Sequence, residues 1–183
     1  MSAATSYIFC SARLGFRTWE ERDIKPMSAI NADRAVMEFF PDIQDETVTA
    51  NALQRMNQLY AQKGYCFFAV DLLETGELIG FIGFNDQVNE ADFTPCVEIG
   101  WRLKKEVWNK GLASEGALIC LDYGFTQLGL TTIYAITPKI NRRSERIMQK
   151  AGLRNEKNFH FVLLKDSPHL EECVLYSIHK PMK

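Results

Sequence analysis

Between Cys96 and Gly129 the hydrophobic rhythm changes from a period of two to a period near 3.6, with one glycine at the junction. Val97, Ile99, Trp101 and Leu103 alternate with Glu98, Gly100 and Arg102, the pattern of a strand with two unlike faces. Lys104–Val107 and the turn Trp108-Asn109-Lys110-Gly111 follow. Leu118, Leu121, Phe125 and Leu128 then recur at spacings of three and four, which predicts a helix over Gly111–Gly129. A strand feeding such a helix must pack it back on a sheet, so the chain belongs to the α/β class. The first N–H groups of the helix have no acceptor within it, and its dipole places partial positive charge there. Gly111 lets the backbone approach a ligand closely, and Ala113 and Ser114 keep the next turn uncrowded. A pyrophosphate can bind to such a turn without a lysine clamp. An ordinary strand-to-helix turn also carries a glycine, so the turn alone leaves both readings open.

The rest of the chain supplies elements for a mixed sheet. Leu14–Trp19 reads as a strand, and Glu20–Ile30 and Asp33–Phe40 as helices, with Pro41 closing the second. Asp45 or Thr47 caps a further helix through Val48, Leu53, Met56 and Tyr60, ended by Gly64. Cys66–Leu72 and Glu77–Asn85 form a hairpin about Glu74-Thr75-Gly76, before a polar loop over Asp86–Asp92. Thr132–Thr137 is a strand, Asn141–Lys150 a helix stopped by Gly152, and Val174–Ile178 a last strand. Hairpins give such a sheet an antiparallel part and helical crossovers a parallel part.

A length of 183 residues without repeat or linker predicts a single domain over residues 1–183. A net charge of −2, with no run of like charges, argues against a nucleic-acid partner. Cys10, Cys66, Cys96, Cys120 and Cys173 are scattered without metal or redox spacing, so no metal is expected. Met1–Tyr7 lacks the charged head and apolar run of a secretory leader. No apolar run approaches the roughly 18 residues of a membrane span. A cytoplasmic protein with reduced thiols is expected, as a monomer or homodimer.

Three segments then carry a resemblance. Trp108, Gly111 and Ala113 stand at the first, fourth and sixth positions of a loop that resembles the acetyl-CoA loop of GNAT enzymes. Trp108 in first place is common in the ribosomal-protein alanine/serine N-acetyltransferase branch, and Asn109 replaces the glycine usual there. Asn tolerates left-handed backbone angles, so the departure is mild. Arg13-Leu14, Arg17 and Asp23 look like the family's opening strand, and Asn141 to Leu153 is similar to its Asn-x-x-Ser helix and Lys-x-Gly ending. The likeness covers about residues 13–178. It implies the GNAT acyl-CoA N-acyltransferase fold, a mixed, mostly antiparallel sheet flanked by helices.

The resemblance also implies the chemistry: transfer of an acetyl group from acetyl-CoA to a primary amine on a protein N-terminus or a small molecule. A non-catalytic acyl-CoA sensor on the same fold is the alternative. It assigns the pyrophosphate to backbone groups of Asn109, Lys110, Gly111, Leu112, Ala113 and Ser114. It assigns the pantetheine arm to the backbone edge of Trp101, Arg102 and Leu103 and to Asn141. Ser144, one turn on from Asn141, looks like the thiolate's proton donor. Glu98 is the candidate base, since a strand carboxylate in a cleft can have a raised pKa. It shares a strand face with Arg102, so a simple ion pair there is an equal reading. His160, in an expected polar loop over Asn155–His160, is a second base candidate, and water a third. Trp19, Phe39, Phe40, Phe67, Phe81 and Phe84 are read as core or cleft-wall aromatics.

Overall fold

A computed structural model describes residues 6–181, so Met1–Thr5 of the stretch read for a leader lie outside the described residues. The strands are β1 (Phe9–Cys10), β2 (Leu14–Arg17), β3 (Phe67–Leu72), β4 (Leu78–Gln87), β5 (Cys96–Leu103), β6 (Thr132–Pro138), β7 (Arg154–His160) and β8 (Glu172–His179). They form one sheet in the order β1-β2-β3-β4-β5-β6-β8-β7. The helices are α1 (Ile24–Ala32), α2 (Glu46–Lys63), α3 (Leu112–Thr126), α4 (Arg142–Lys150) and the short α5 (Pro168–Glu171). Every strand pair is antiparallel except β5 with β6, which α3 joins as the crossover that parallel neighbours need. The mixed, mostly antiparallel sheet matches the expectation. Among the described residues no helix is long and apolar enough to cross a membrane.

The period of two decides which layer each strand residue serves. Phe68 and Val70 of β3 pack with Leu121 and Phe125 of α3 and Met148 of α4. Ala69, between them, packs instead with Met27 of α1 and Leu53 of α2. The sheet therefore separates a large core under α3 and α4 from a smaller one under α1 and α2. Arg17 ties the start of the chain into the second layer. It is buried, and its guanidinium donates to Asp23 at 2.6 and 2.9 Å and to Asp71 at 2.7 and 2.9 Å. That bridge fixes β2 against β3 and sets where α1 begins.

At Gly80 the alternation slips. Ile79 and Ile82 both enter the larger core, while Leu78 belongs to the smaller one and Phe81 packs against it. The register between β3 and β4 shifts at the same place, between Val70 and Asp71. An extra residue in one strand is a bulge, and here Gly80 takes a φ of 135° with no room for a side chain. A Cβ on Gly80 would lie 2.1 Å from the Arg102 carbonyl oxygen. Beyond it, Phe81 lies opposite Arg102 in an unbroken β4–β5 register, on the face of the smaller core.

The structure corrects several expectations. Asp33–Phe40 is not a helix: α1 ends at Ala32 and turns run on to Pro41. The Asp33 side chain accepts the Ala35 N–H at 2.8 Å, a local bond that competes with helix formation. Its apolar residues also serve two places, since Val36 and Met37 are buried while Phe39 and Phe40 line a cleft. Residues 155–160 form most of β7 rather than a loop; an exposed edge strand carries polar residues without losing its ladder to β8. β4 reaches Gln87, so the polar loop starts later than expected. Val48 and Leu118 face solvent, at 45% and 51% exposure. Thr49 and Leu53 turn inward in α2, and Ala117, Cys120, Leu121, Gly124 and Phe125 in α3. Asp45 does cap α2, accepting the Val48 N–H at 2.8 Å, and Gly64 ends it with φ 75°.

Candidate active site

β5 and β6 meet at one pair, Glu98 opposite Tyr134. From Ile99 to Leu103, β5 keeps β4 on one side and has no strand on the other. Backbone groups on that free edge face a cleft of about 610 Å³. Glu98, Gly100 and Arg102 line it from β5, and the first turns of α3 and α4 close one side. Phe39, Phe40, Phe67 and Phe81 wall the other. Trp19 and Phe84, by contrast, are core residues.

The turn into α3 has the geometry its sequence suggested. Asn109 takes φ 60° and Gly111 φ 77°. Gly111 stands left-handed at the N-cap without a side-chain cap, and Leu112 begins the right-handed helix. Neighbouring residues of opposite hand aim their N–H groups into one concavity suited to an anion. The N–H groups of Leu112, Ala113 and Ser114 have no intrahelical acceptor. Leu112 is buried and offers only its backbone to the cleft. Lys110 does not line the cleft; its carbonyl accepts from Arg13 at 3.0 Å. Arg13 also bonds Glu115, as does the Ser11 hydroxyl, so the lead into β2 clamps the first turn of α3. The Trp108 indole N–H donates to the Leu103 carbonyl at 2.8 Å and closes the turn from behind.

At α4, Asn141 is the N-cap, its Oδ1 accepting the Ser144 N–H at 3.1 Å. Both residues line the cleft. Arg143, between them, lies over the Trp108 ring at 4.5 Å and the Phe39 ring at 5.7 Å, and pairs with Glu38 at 2.6 Å. That stack joins the two walls.

Glu98 and Arg102 do not pair. Four residues along a strand separate their Cα atoms by about 13 Å, and each finds other partners. Glu98 is half-buried on the cleft floor and accepts hydrogen bonds from the Gln87 amide and the Ile136 backbone. Burial pushes its carboxyl up to about 7, and these two neutral donors only partly offset that. Arg102 donates to Asn31 Oδ1 of α1 at 2.7 Å and lies over the rings of Phe40 at 4.0 Å and Phe81 at 5.3 Å. Burial lowers its pKa to about 10. His160 ends β7 at 75% exposure, 3.7 Å from Glu171, and does not line the cleft. The edge strand carries it away from the reacting region. Sequence reasoning missed Gln87 and Asn31; each acts through a contact distant in the chain, and neither belongs to a local motif.

A family model described as an acetyltransferase (GNAT) domain matches residues 13–154. An uncharacterized N-acetyltransferase of Bacillus subtilis, YnaD, is 32% identical over 87% of this chain and 90% of its own length. A GNAT-family acetyltransferase from Bacillus anthracis superposes with a TM-score of 0.78 at 28% identity, covering 93% of this chain and 97% of that one. Two more distant structures share the fold. One is a ribosomal-protein-S5-alanine acetyltransferase from Vibrio fischeri, with TM-score 0.75, 17% identity, and 94% and 96% of the two chains covered. The other is a spermidine N-acetyltransferase from Vibrio cholerae solved with CoA and spermine, with TM-score 0.72, 20% identity, and 92% and 96% covered. With the split strands, the left-handed glycine turn and the capped Asn141 helix in one cleft, the chain belongs to the GNAT acetyltransferase family and is an acetyl-CoA-dependent N-acetyltransferase.

Proposed function

We propose that this enzyme, a single domain, moves the acetyl group of acetyl-CoA onto a primary amine of a small molecule or a protein N-terminus by direct attack on the thioester. The observation that carries the reading is the free edge of β5 beyond Glu98, opening toward the uncapped start of α3. In this reading the pyrophosphate takes the N–H groups of Asn109 through Ser114. The pantetheine arm adds to the Trp101–Leu103 edge as a further strand would, and the Asn141 amide NH₂, left over from capping, reaches its carbonyls. The acceptor enters between the aromatic walls. It arrives as an ammonium and must lose a proton before its lone pair attacks. Glu98, held near 7, takes that proton at neutral pH. As the C–N bond forms and the C–S bond breaks, the nitrogen releases its second proton to solvent, as Glu98 does the first, and the Ser144 hydroxyl protonates the departing thiolate and is reprotonated from solvent. A backbone N–H of the β5 edge faces the developing oxyanion. Five unpaired thiols and a coenzyme A substrate fit a cytoplasmic enzyme.

The test is amine-dependent thiol release from acetyl-CoA across peptides, polyamines, amino acids and aminoglycosides. Acetyl-CoA that binds without amine-stimulated thiol release across the panel would overturn the transfer reading.

A further inference from the structure

Arg17 is buried and Arg102 half-buried, and the two are held differently. Arg17 has two aspartates, which satisfy its guanidinium at both ends. Arg102 has no carboxylate partner among the described residues. Its protein partners are the neutral Asn31 and the faces of two phenylalanines. A guanidinium offers five N–H donors. Nη1 uses one on Asn31, while Nε is buried without an acceptor. An enclosed charge without a counter-ion is costly to keep. Here it lines the cleft, against the rings of Phe40 and Phe81 on its aromatic wall. A Cβ on Gly80 would strike the Arg102 carbonyl, so the backbone beside the arginine admits only glycine at that position.

The remaining charges of the cleft point the same way. Among its described lining residues, Glu98 is the one carboxylate, against Arg102, Arg143, Arg146 and Lys150. The last three belong to α4, on the side where the donor is placed. A polycation in the acceptor half would meet Arg102 and find Glu98 alone to receive it, already engaged by Gln87. An anion would find an unfilled guanidinium fork. From the acceptor side, Glu98 and Arg102 share one strand face with only Gly100 between them.

Building on the acetyl-transfer reading, we infer that the acceptor is an amine bearing a carboxylate several bonds from the reacting nitrogen, and that Arg102 binds the carboxylate while Glu98 faces the amine. Amino acids with a side-chain or chain-terminal amine, and short peptides with a free carboxylate, share this chemistry. Arg102 is thus a specificity residue and takes no part in the bond changes.

Matched acceptors test it: 5-aminopentanoate against pentylamine, lysine against cadaverine, and dipeptides against their C-terminal amides. The expected result is that the best acceptor carries a carboxylate, with kcat/KM about 10- to 100-fold above its partner, the range of a charge-assisted bond. Arg102→Gln should erase that ratio through KM, and Arg102→Lys should restore part of it. A thermal melt of each variant confirms folding. A purely structural Arg102 would lower both members of a pair equally, and that outcome overturns the proposal. So does a polyamine as best acceptor, or equal use of acid and amide. If no amine of the panel is acetylated, or acetyl-CoA fails to protect the wild-type protein in a melt, the transfer reading itself fails. Transfer to amines without carboxylate selectivity refutes the role of Arg102 alone.

Discussion

Replacing Glu98 by Gln separates its cost to the fold from its use in the reaction. The carboxyl sits at about 7 in the native protein against 4.5 for the free group. A carboxyl whose pKa is raised by folding favours the native state when protonated. That contribution is complete below pH 4.5 and is lost as the pH rises through 7. A gap of 2.5 in pKa, from 4.5 to 7, corresponds to about 3 kcal/mol. At pH 8 wild type carries that cost and Glu98→Gln does not, so the variant should melt about 6–12 °C higher, at 2–4 °C per kcal/mol for this size. At pH 4.5 the advantage should nearly vanish. Activity should move the other way, with kcat/KM falling by about 10²- to 10⁴-fold if the carboxylate is the base. For wild type, the acid limb of the pH–rate profile should bend near 7, leaving about a tenth of full activity at pH 6. Removing the Gln87 donor should push that limb to higher pH, because its hydrogen bond favours the charged form. Calorimetry at two pH values and a thiol-release profile supply every number. A variant equally stable at both pH values, or a wild-type acid limb near 4.5, would refute the desolvated-base account. Near-wild-type turnover in the Gln variant would hand proton removal to water.

Gly111→Val should abolish acetyl-CoA protection in a thermal melt. The left-handed φ costs a branched residue about 1–2 kcal/mol although Arg13 leaves it room, and retained protection would make the turn a mere connector. Ser144→Ala should lower turnover about 10²-fold with little change in acetyl-CoA affinity; weakened affinity at full turnover would instead make Ser144 a ligand of the coenzyme. Arg17→Met should destabilise the protein by about 3–5 kcal/mol, read as a urea midpoint shift, because it strands two buried aspartates. A loss under 1 kcal/mol would show that the bridge does not hold β2, β3 and α1 together.

The α3–α4 side of the cleft, where the donor is proposed to bind, was legible because its signals are local. The alternation through β5, the glycine at 111 and the Asn141–Ser144 spacing each act within one turn or strand, where sequence and geometry correspond closely. Arg17 and Asp23 were recognisable too, although Asp71, which completes their bridge, lies 54 residues from Arg17. The acceptor half was harder to read. Residues 33–41 carry a dense apolar cluster that looks helical, yet it is divided between core, at Val36 and Met37, and cleft, at Phe39 and Phe40. Gly80 gives no sign that it is a bulge, and Arg102 finds Asn31 and the rings of Phe40 and Phe81, partners distant in the chain, rather than Glu98. His160 sat in a polar run that could equally be loop or edge strand. In each case tertiary contacts, which no local pattern encodes, made the choice.

The Arg143 stack joining the cleft walls has a kinetic meaning. It combines a half-exposed ion pair to Glu38 with two ring contacts. Interactions of that kind sum to about 2 kcal/mol, so parting the stack would cost a ligand about thirtyfold in affinity. Trp108 and Arg143 border the donor side, Phe39 and Glu38 the acceptor side, so a ligand that parts the stack opens both halves together. Whichever substrate binds first bears the roughly thirtyfold loss of affinity, and the second meets a cleft already parted. Mutual tightening of the two substrates, in either order of addition, follows from a latch made of one arginine, and raised salt, which weakens its ion pair, should loosen that coupling.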